Sequence, residues 1–248
     1  MHLNPTFIFM KPTIIGTLFI AYFIMQTDTY KQAQKLYNNK QYKASIEVCT
    51  EELNKINPKD SLFTKFLFLR TSCYTELKDY PSGIKDYITL VEMHPSEISY
   101  YAGISYLYGS KGEYANCFAA LRKGLSIDPQ NIYLLNNFSY YSNYVGNWDD
   151  GFAFANKALV LTHDPYWKGV SLNNRGCSNI GLKKYDLALS DINEAIKLNP
   201  DNSFAYCYRA LANIRLKHLE TVCNDLNKAK SLGAETMTAD LIKQYCQH

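Results

Sequence analysis

The feature that most constrains the fold of this chain is a repeat of 34 residues in the spacing of its aromatic side chains. Tyr80, Tyr114 and Trp148 follow one another at steps of 34, and Pro95 and Pro129 keep the same step. A period of this length is typical of solenoids, in which each helix pair buries its apolar face only against its neighbours. The sequence therefore predicts an all-α solenoid.

The bulk composition is globular and carries little net charge. The 248 residues are 47% hydrophobic and 20% charged, and the net charge is +3. These values are ordinary for a folded domain. Binding to nucleic acid through phosphate contacts needs a clustered basic face, and the sequence holds no block of like charges. A nucleic-acid partner is therefore not expected.

Each repeat consists of a helix, a short turn with Gly or Lys before an aromatic residue, a second helix and a closing turn. Helices should end before Pro129 and Pro200, because the residue that precedes proline avoids the α conformation. Residues 237–248 hold apolar side chains at helical spacing, which predicts a helix that caps the last repeat. The predicted solenoid spans residues 26–236, and its six repeats are 26–59, 64–97, 98–131, 132–165, 169–202 and 203–236.

Residues 1–25 differ from the repeats. Thr13 to Met25 is a run of 13 residues without a charge, which is shorter than the roughly 20 residues of a membrane span. Lys11 before this run suits a signal peptide that exports the residues after it. The lysines after the run instead favour retention of those residues on the side of the membrane where they are made. A cleaved signal and an anchor through residues 7–25 stay open, and a buried helix is a third alternative. The expected location is membrane-associated or exported to the cell envelope, on an undecided side.

The residues within the repeats resemble the tetratricopeptide repeat (TPR). The fifth repeat carries Tyr185, Ala188, Ile192, Ala195 and Pro200 at the family's aromatic, small, large, small and proline positions. The third repeat matches with Tyr114, Cys117, Leu121, Gly124 and Pro129. This resemblance implies a right-handed α-solenoid of six helix–turn–helix repeats, in a style similar to bacterial envelope proteins.

Two positions inside the repeats change together. The first-helix position that is usually a large apolar residue is arginine in three repeats, and an aspartate follows 16 residues later in each. In the fourth repeat, the same two positions are Phe138 and Phe154. Since a half-buried charge without a partner is costly, the pattern predicts three structural ion pairs. These pairs are Arg70 with Asp86, Arg175 with Asp191, and Arg209 with Asp225.

Motifs that carry chemistry are missing from the sequence. No H-E-x-x-H, C-x-x-C, G-x-S-x-G or glycine-rich phosphate loop occurs. The seven cysteines are irregularly spaced and odd in number, which favours small buried residues over a disulfide framework. We therefore expect no catalytic residue, no metal and no cofactor, and interpret the chain as a protein that is not an enzyme.

The resemblance places the first helix of each pair along a concave face. Asparagine amides can both donate to and accept from a peptide backbone, and tyrosine supplies a large contact area at low entropic cost. The predicted function is a scaffold whose groove binds a peptide segment of a protein partner of unknown identity. The predicted groove residues are Tyr106, Tyr133, Asn136, Asn137, Tyr140, Asn143, Tyr144, Asn173, Asn174 and Tyr208.

Two other functions remain open at this point. One is a structural protein that assembles with itself and leaves the groove idle. The other is an accessory subunit of a membrane or envelope enzyme complex. Basic residues at inward positions are few and not adjacent, so recognition of an acidic carboxyl terminus by a cluster of cations is not expected.

Overall fold

The chain is helical throughout the part that the structure describes. A computed structural model describes the backbone of residues 12–246 and the side chains from residue 25. Thirteen helices and no strand occur in this range, which confirms the predicted all-α fold class. The helices are α1 (Pro12–Asn38), α2 (Tyr42–Leu53), α3 (Ser61–Glu76), α4 (Tyr80–Met93), α5 (Ile98–Lys111), α6 (Tyr114–Ile127), α7 (Ile132–Tyr144), α8 (Trp148–Leu161), α9 (Pro165–Gly181), α10 (Tyr185–Leu198), α11 (Ser203–Leu216), α12 (Val222–Ser231) and α13 (Glu235–Tyr245).

The helices form two compact units that divide after Gly112. In the first unit, each of α1 to α4 packs on the next helix, and α1 also contacts α3. In the second unit, α6 to α13 pack in the same consecutive order, with further contacts of α7 with α9 and of α9 with α11. Contact with the next helix and the next but one is how a solenoid buries its core.

Side-chain caps begin the first helix of each pair from α3 onwards. Asp60, Asn131, Asp164 and Asn202 each accept a hydrogen bond from a backbone N–H in the first turn of the helix that follows. Such a cap contributes about 1 kcal/mol because it satisfies an otherwise unpaired donor. Pro165 suits the first turn of α9, where no backbone N–H is needed. This helix starts four residues before the predicted repeat boundary at 169.

Left-handed residues end the first helices. Gly112 and Gly146 have φ angles of 83° and 80° in the turns after α5 and α7. Lysines take the same conformation after α1, α3, α9 and α11, with φ between 58° and 63°. Glycine adopts this region freely, whereas a side chain with a Cβ is strained there. The lysines in this conformation are Lys40, Lys78, Lys183 and Lys217.

Each of the three arginines contacts its predicted aspartate in a bidentate pair. In the fifth repeat, Arg175 donates from Nε and Nη2 to the two carboxylate oxygens of Asp191, at 2.9 and 2.7 Å. Arg70 and Arg209 bind Asp86 and Asp225 with the same geometry. The aspartates are buried while the arginines are partly exposed. Paired, hydrogen-bonded charges of this kind are tolerated in a partly buried site.

The same arginines also reach the preceding helix pair. Nη1 of Arg175 donates to the amide oxygen of Asn156 in α8 over 2.9 Å. Arg209 donates in the same way to Asn193 in α10, also over 2.9 Å. Each guanidinium therefore joins three helices, a link that the spacing of the sequence did not reveal.

In the fourth repeat, the two positions hold stacked rings instead. The centroids of Phe138 and Phe154 are 3.9 Å apart, with 20° between the ring planes. The guanidinium of Arg122 lies 5.7 Å from the Phe138 centroid. Ring stacking thus replaces the ion pair as the contact between the two helices of this repeat.

One disulfide closes the carboxyl-terminal part of the second unit. Cys223 in α12 is bonded to Cys246, with their Cα atoms 5.5 Å apart. This bond differs from the expectation of small buried cysteines without a disulfide. The two residues are 23 positions apart, and only the return of α13 onto α12 brings them together. Sequence spacing alone could not show that return.

The predicted signal or anchor covers residues 1–25, and the structure describes the side chain of only the last of these residues. Residues 1–11 are not described, and residues 12–24 are described as backbone of α1. Within the described part of the chain, we find no helix with the length and apolar character that a membrane crossing requires.

The ion pair of the fifth repeat can be tested by comparing a broken pair with a replaced pair. We expect Asp191→Ala to lower the free energy of unfolding by about 3 kcal/mol, because it leaves the arginine without its partner. The double variant Arg175→Met with Asp191→Leu should lose less. Urea denaturation of both proteins gives the two values, and equal losses would contradict a stabilising role for the pair.

The strained turn after α9 gives a second prediction. Lys183→Gly should raise the free energy of unfolding by up to about 1 kcal/mol, because glycine adopts the left-handed conformation without strain. Lys157→Gly, in the exposed middle of α8, should lower it by about 1 kcal/mol. Urea denaturation measures both changes. A loss of stability in Lys183→Gly as large as that in the α8 control would show that the turn carries no strain.

Candidate functional site

The candidate site lies on the first helices of three successive pairs in the second unit. Helix α7 packs beside α9, and α9 packs beside α11. Nine of the ten predicted groove residues lie on these three helices, and six of them line a common pocket. These six are Asn136, Asn137, Tyr140, Asn173, Asn174 and Tyr208.

Buried amides join α7 to α9. Asn143 donates from Nδ2 to the carbonyl oxygen of Asn174 over 2.8 Å. Asn174 donates in turn from Nδ2 to the carbonyl oxygen of Asn136 over 3.1 Å. The Ser171 hydroxyl donates to the amide oxygen of Asn136, and Ser178 donates to that of Asn143, at 2.9 and 2.7 Å. We call these five residues the amide network; it uses three of the predicted groove asparagines to hold two helices together.

A close approach between helices lets the amide network form. The residue in α8 that faces Asn143 is Gly151, and a Cβ atom at this glycine would collide with the Asn143 amide oxygen. It would also lie 2.9 Å from the Ser178 hydroxyl oxygen. Only a residue without a side chain leaves room for both groups here.

The pocket itself has a volume of about 170 Å³ and a polar–aromatic wall. Trp167 and Val170 of α9 line it, and Phe204 of α11 packs edge-to-face on Tyr140 with 6.4 Å between ring centroids. Among the described residues that line it, none carries a charge; they are asparagine, tyrosine, tryptophan, phenylalanine and valine. Such a site suits an apolar group that also makes a few hydrogen bonds.

Burial holds Tyr208 of the pocket wall and the neighbouring Cys177 in their neutral forms. It raises the pKa of the Tyr208 hydroxyl well above its ordinary value, and the nearby Cys177 adds to the effect. Burial also raises the pKa of the Cys177 thiol to about 11, although a hydrogen bond with Tyr208 acts in the opposite direction. Neither group is therefore an activated nucleophile at neutral pH.

The remaining free thiols in the described part of the chain are similar. Burial raises the pKa of Cys49 and of Cys117 to about 12, that of Cys207 to about 11, and that of Cys73 above its ordinary value. A thiolate is the reactive form of cysteine. These residues therefore behave as small apolar side chains of the core.

Other predicted groove residues lie outside the pocket. Tyr133 is exposed at its rim, edge-to-face against Trp167 with centroids 5.8 Å apart. Tyr144 is exposed on the last turn of α7, 5.5 Å from the ring of Tyr114. Tyr106 is exposed on α5, in the first unit. The structure thus brings together a central subset of the predicted set.

Four pocket residues were not predicted from the sequence. Val170 and Phe204 occupy the second position of the fifth and sixth predicted repeats, which is an inward position in the resembled family. Their position could therefore have identified them. Trp167 belongs to the extra first turn of α9, in residues that the sequence placed between repeats. Asn202 lines the pocket while its side chain also caps α11.

A second cavity, of about 560 Å³, lies on α9 and α10 and is lined mainly by charged residues. Lys168 and Lys197 lie 3.9 and 3.7 Å from Glu194, and Arg175 pairs with Asp191, so each cation of the wall has a carboxylate within ion-pair distance although the two lysines share one. Surface pairs of this kind contribute little. The polar–aromatic pocket is therefore the better candidate.

Comparison with known proteins places the fold. The tetratricopeptide repeat family model matches residues 98–131 and 170–202. A tetratricopeptide repeat protein from Parabacteroides merdae superposes with a TM-score of 0.70 at 18% identity, covering 88% of this chain and 83% of that one. Cut9–Hcn1, the hetero-tetramer of the APC/C, gives a TM-score of 0.71 at 14% identity over 91% of this chain and 45% of the matched one.

One curated relative is the Hsp70-Hsp90 organizing protein 2 of Arabidopsis thaliana. It is 29% identical over 105 residues, which cover 42% of this chain and 18% of that protein. The match therefore spans less than a fifth of the relative's length. The repeat period and the helix pairs agree with the superposed structures, and residues 98–131 and 170–202 match the tetratricopeptide repeat family.

Proposed function

We propose that this protein is a non-catalytic scaffold that binds a segment of a partner protein on the face formed by α7, α9 and α11. The observation that carries the proposal is the pocket of about 170 Å³ between these helices, with aromatic rings and amides in its wall. Aromatic side chains beside a few polar groups are characteristic of sites that anchor a partner.

The amide network supports this function because it prepares the face before a partner arrives. Its asparagines and serines are buried and bonded to one another between α7 and α9. A surface fixed in this way loses little conformational entropy when a ligand binds. The exposed rings of Tyr133 and Phe204 lie at this face and supply apolar contact area.

The similar proteins support the same general role. One is named as an organizing protein for Hsp70 and Hsp90, and another structure contains Cut9 in an assembly with Hcn1. Both names describe proteins that act through other proteins. For the present chain the partner stays open, and an accessory subunit of an enzyme complex is one form that this role can take.

The location is a separate proposal. We propose that the repeats reside in an oxidising compartment, as expected of a protein exported to the cell envelope. The Cys223–Cys246 disulfide supports this choice, because such bonds persist outside reducing compartments. An anchor in the membrane through residues 7–25 and a cleaved signal are both compatible with it.

Counting thiols in the protein isolated from its native cells tests the location. After acid trapping and denaturation, alkylation should modify five cysteines, and two more should react once the protein is reduced. Mass spectrometry counts the added groups. Seven reactive cysteines before reduction would contradict an oxidising compartment.

Peptide selection against the purified protein tests the binding face. Peptides selected from a display library should bind wild type, and Trp167→Ala or Phe204→Ala should weaken their binding at least tenfold, because aromatic side chains that a partner covers contribute about 2 kcal/mol or more. Leu187→Ala and Val160→Ala, at exposed positions of the second helices α10 and α8, are the matched controls. The selected peptides should bind these two control variants with the same affinity as wild type.

Two results would contradict the binding function. One is a library that yields no binder, or binders that lose affinity equally with the control variants. The other is sedimentation that shows a stable oligomer broken by Leu187→Ala but not by Trp167→Ala. That result would favour the self-assembling structural protein instead.

A further inference from the structure

The disulfide of the second unit joins the last described helix, α13, to the helix beneath it. Cys223 is the second residue of α12, and Cys246 follows directly after the last residue of α13. Both cysteines are half-buried, so a thiol from outside can approach their sulfur atoms. A disulfide that is reachable in this way is open to thiol–disulfide exchange.

Helix α13 has few other contacts that hold it in place. Thr238 is the one buried residue among its eleven, whereas the ten residues of α12 include four buried ones. Leu241, Ile242 and Tyr245 are partly exposed even where they pack on the neighbouring helices. An isolated helix shorter than about 12 residues is marginal in water. The attachment of α13 therefore depends strongly on the disulfide.

The surface under α13 is apolar. Ala210 of α11 and Val222 and Leu226 of α12 form one buried cluster, and side chains of α13 pack against it. In a solenoid, such a surface is normally covered by the next helix of the stack. Release of α13 would expose these three side chains to water.

The free thiols in the described part of the chain cannot open the bond themselves. Burial raises the pKa of each of these five thiols above its ordinary value. Only a thiolate attacks a disulfide, and these thiols stay protonated at neutral pH. The reductant must therefore come from outside the described part of the chain. A dithiol is suited to this step, because its second thiol frees the protein from the mixed disulfide.

We propose that the Cys223–Cys246 bond is a reversible modification site, which an external dithiol opens to release α13 from the apolar cluster of α11 and α12. The redox state of the surroundings then sets whether that cluster is covered. The proposal does not depend on the binding face formed by α7, α9 and α11, and it adds a second, separate site to the molecule.

The reaction transfers two electrons from the dithiol to the protein. A thiolate of the dithiol attacks one sulfur of the bond, and the electron pair of the S–S bond leaves on the other sulfur, which takes up a proton. The second thiol of the reagent then loses its proton and attacks its own mixed disulfide, which releases the other cysteine. The dithiol ends as a disulfide, and its two protons end on Cys223 and Cys246.

Hydrogen exchange of the full-length protein, followed by mass spectrometry, tests the release. Dithiothreitol is the dithiol used as probe, and alkylation confirms that two cysteines have been reduced. The amides of α13 should then exchange about a hundredfold faster, because the bond closes a loop between residues 23 positions apart and restricts the opened chain. Amides of α9 and α10 should keep their rates, and reoxidation should restore slow exchange in α13.

Two variants separate cleavage of this bond from other effects of the reagent. The double variant Cys223→Ser with Cys246→Ser lacks the bond, so its α13 amides should exchange fast before dithiothreitol is added and should not change afterwards. Cys177→Ser, at the half-buried free cysteine of α9, keeps the bond and should respond as wild type does. Thermal melting shows whether the variants are folded.

Three outcomes would overturn the proposal. One is unchanged exchange in α13 after both cysteines of wild type have been reduced. Another is exchange in α13 of the oxidised protein that is already as fast as in the double variant. The third is a bond that dithiothreitol cleaves only after the protein has been denatured. Reduced wild type gives the first result even if the double variant fails to fold, and none of the three bears on peptide binding.

Discussion

The hydrogen bonds between Asn143, Asn174 and Asn136 are the interaction on which the candidate site depends. They run from amide to carbonyl across α7 and α9, so the relative position of the two helices is set by directional bonds. Apolar contacts alone tolerate small shifts, whereas a fully bonded polar network admits one arrangement. The pocket beside α11 inherits this fixed geometry, because its wall includes Asn136 and Asn174.

Two different contacts hold the helix pairs together within their repeats. The second, fifth and sixth repeats use a bidentate arginine–aspartate pair, and the fourth uses the stack of Phe138 on Phe154. An arginine that met a phenylalanine at this contact would lose its counter-ion. A first helix with arginine therefore pairs unfavourably with the second helix of the fourth repeat, which offers phenylalanine. This is consistent with charged pairs contributing to specificity as well as to stability.

The sequence predicted the features that depend on short-range pattern. The 34-residue period predicted helix pairs, and positions that change together, such as Arg175 and Asp191, indicated a contact that the structure places within hydrogen-bonding distance. Both signals are local to one repeat. Such features follow from helix geometry, in which the spacing of residues fixes which side chains face each other.

Features that depend on the neighbouring repeat were not predictable in the same way. Asn143 was interpreted as a groove residue, but Ser178 and the carbonyl of Asn174 in the next repeat draw its amide into the core. Trp167 reaches the pocket only because α9 begins one turn early at Pro165. The Cys223–Cys246 bond likewise depends on the return of α13. For Asn143 and Cys223 the deciding partner lies on another helix, and for Trp167 the deciding feature is the early start of α9.

The two tryptophans provide the most direct test of the central claim that the pocket is the binding site. Trp167 lines the pocket. Trp148, the first residue of α8, packs against Gly181 at the end of α9 and does not line the pocket. Nitrogen-15 NMR of the indole groups, recorded while a selected peptide is added, gives one signal for each residue. The account predicts that the Trp167 signal shifts and the Trp148 signal stays in place. A shift of Trp148 alone, or of neither signal with the peptide fully bound, would contradict it.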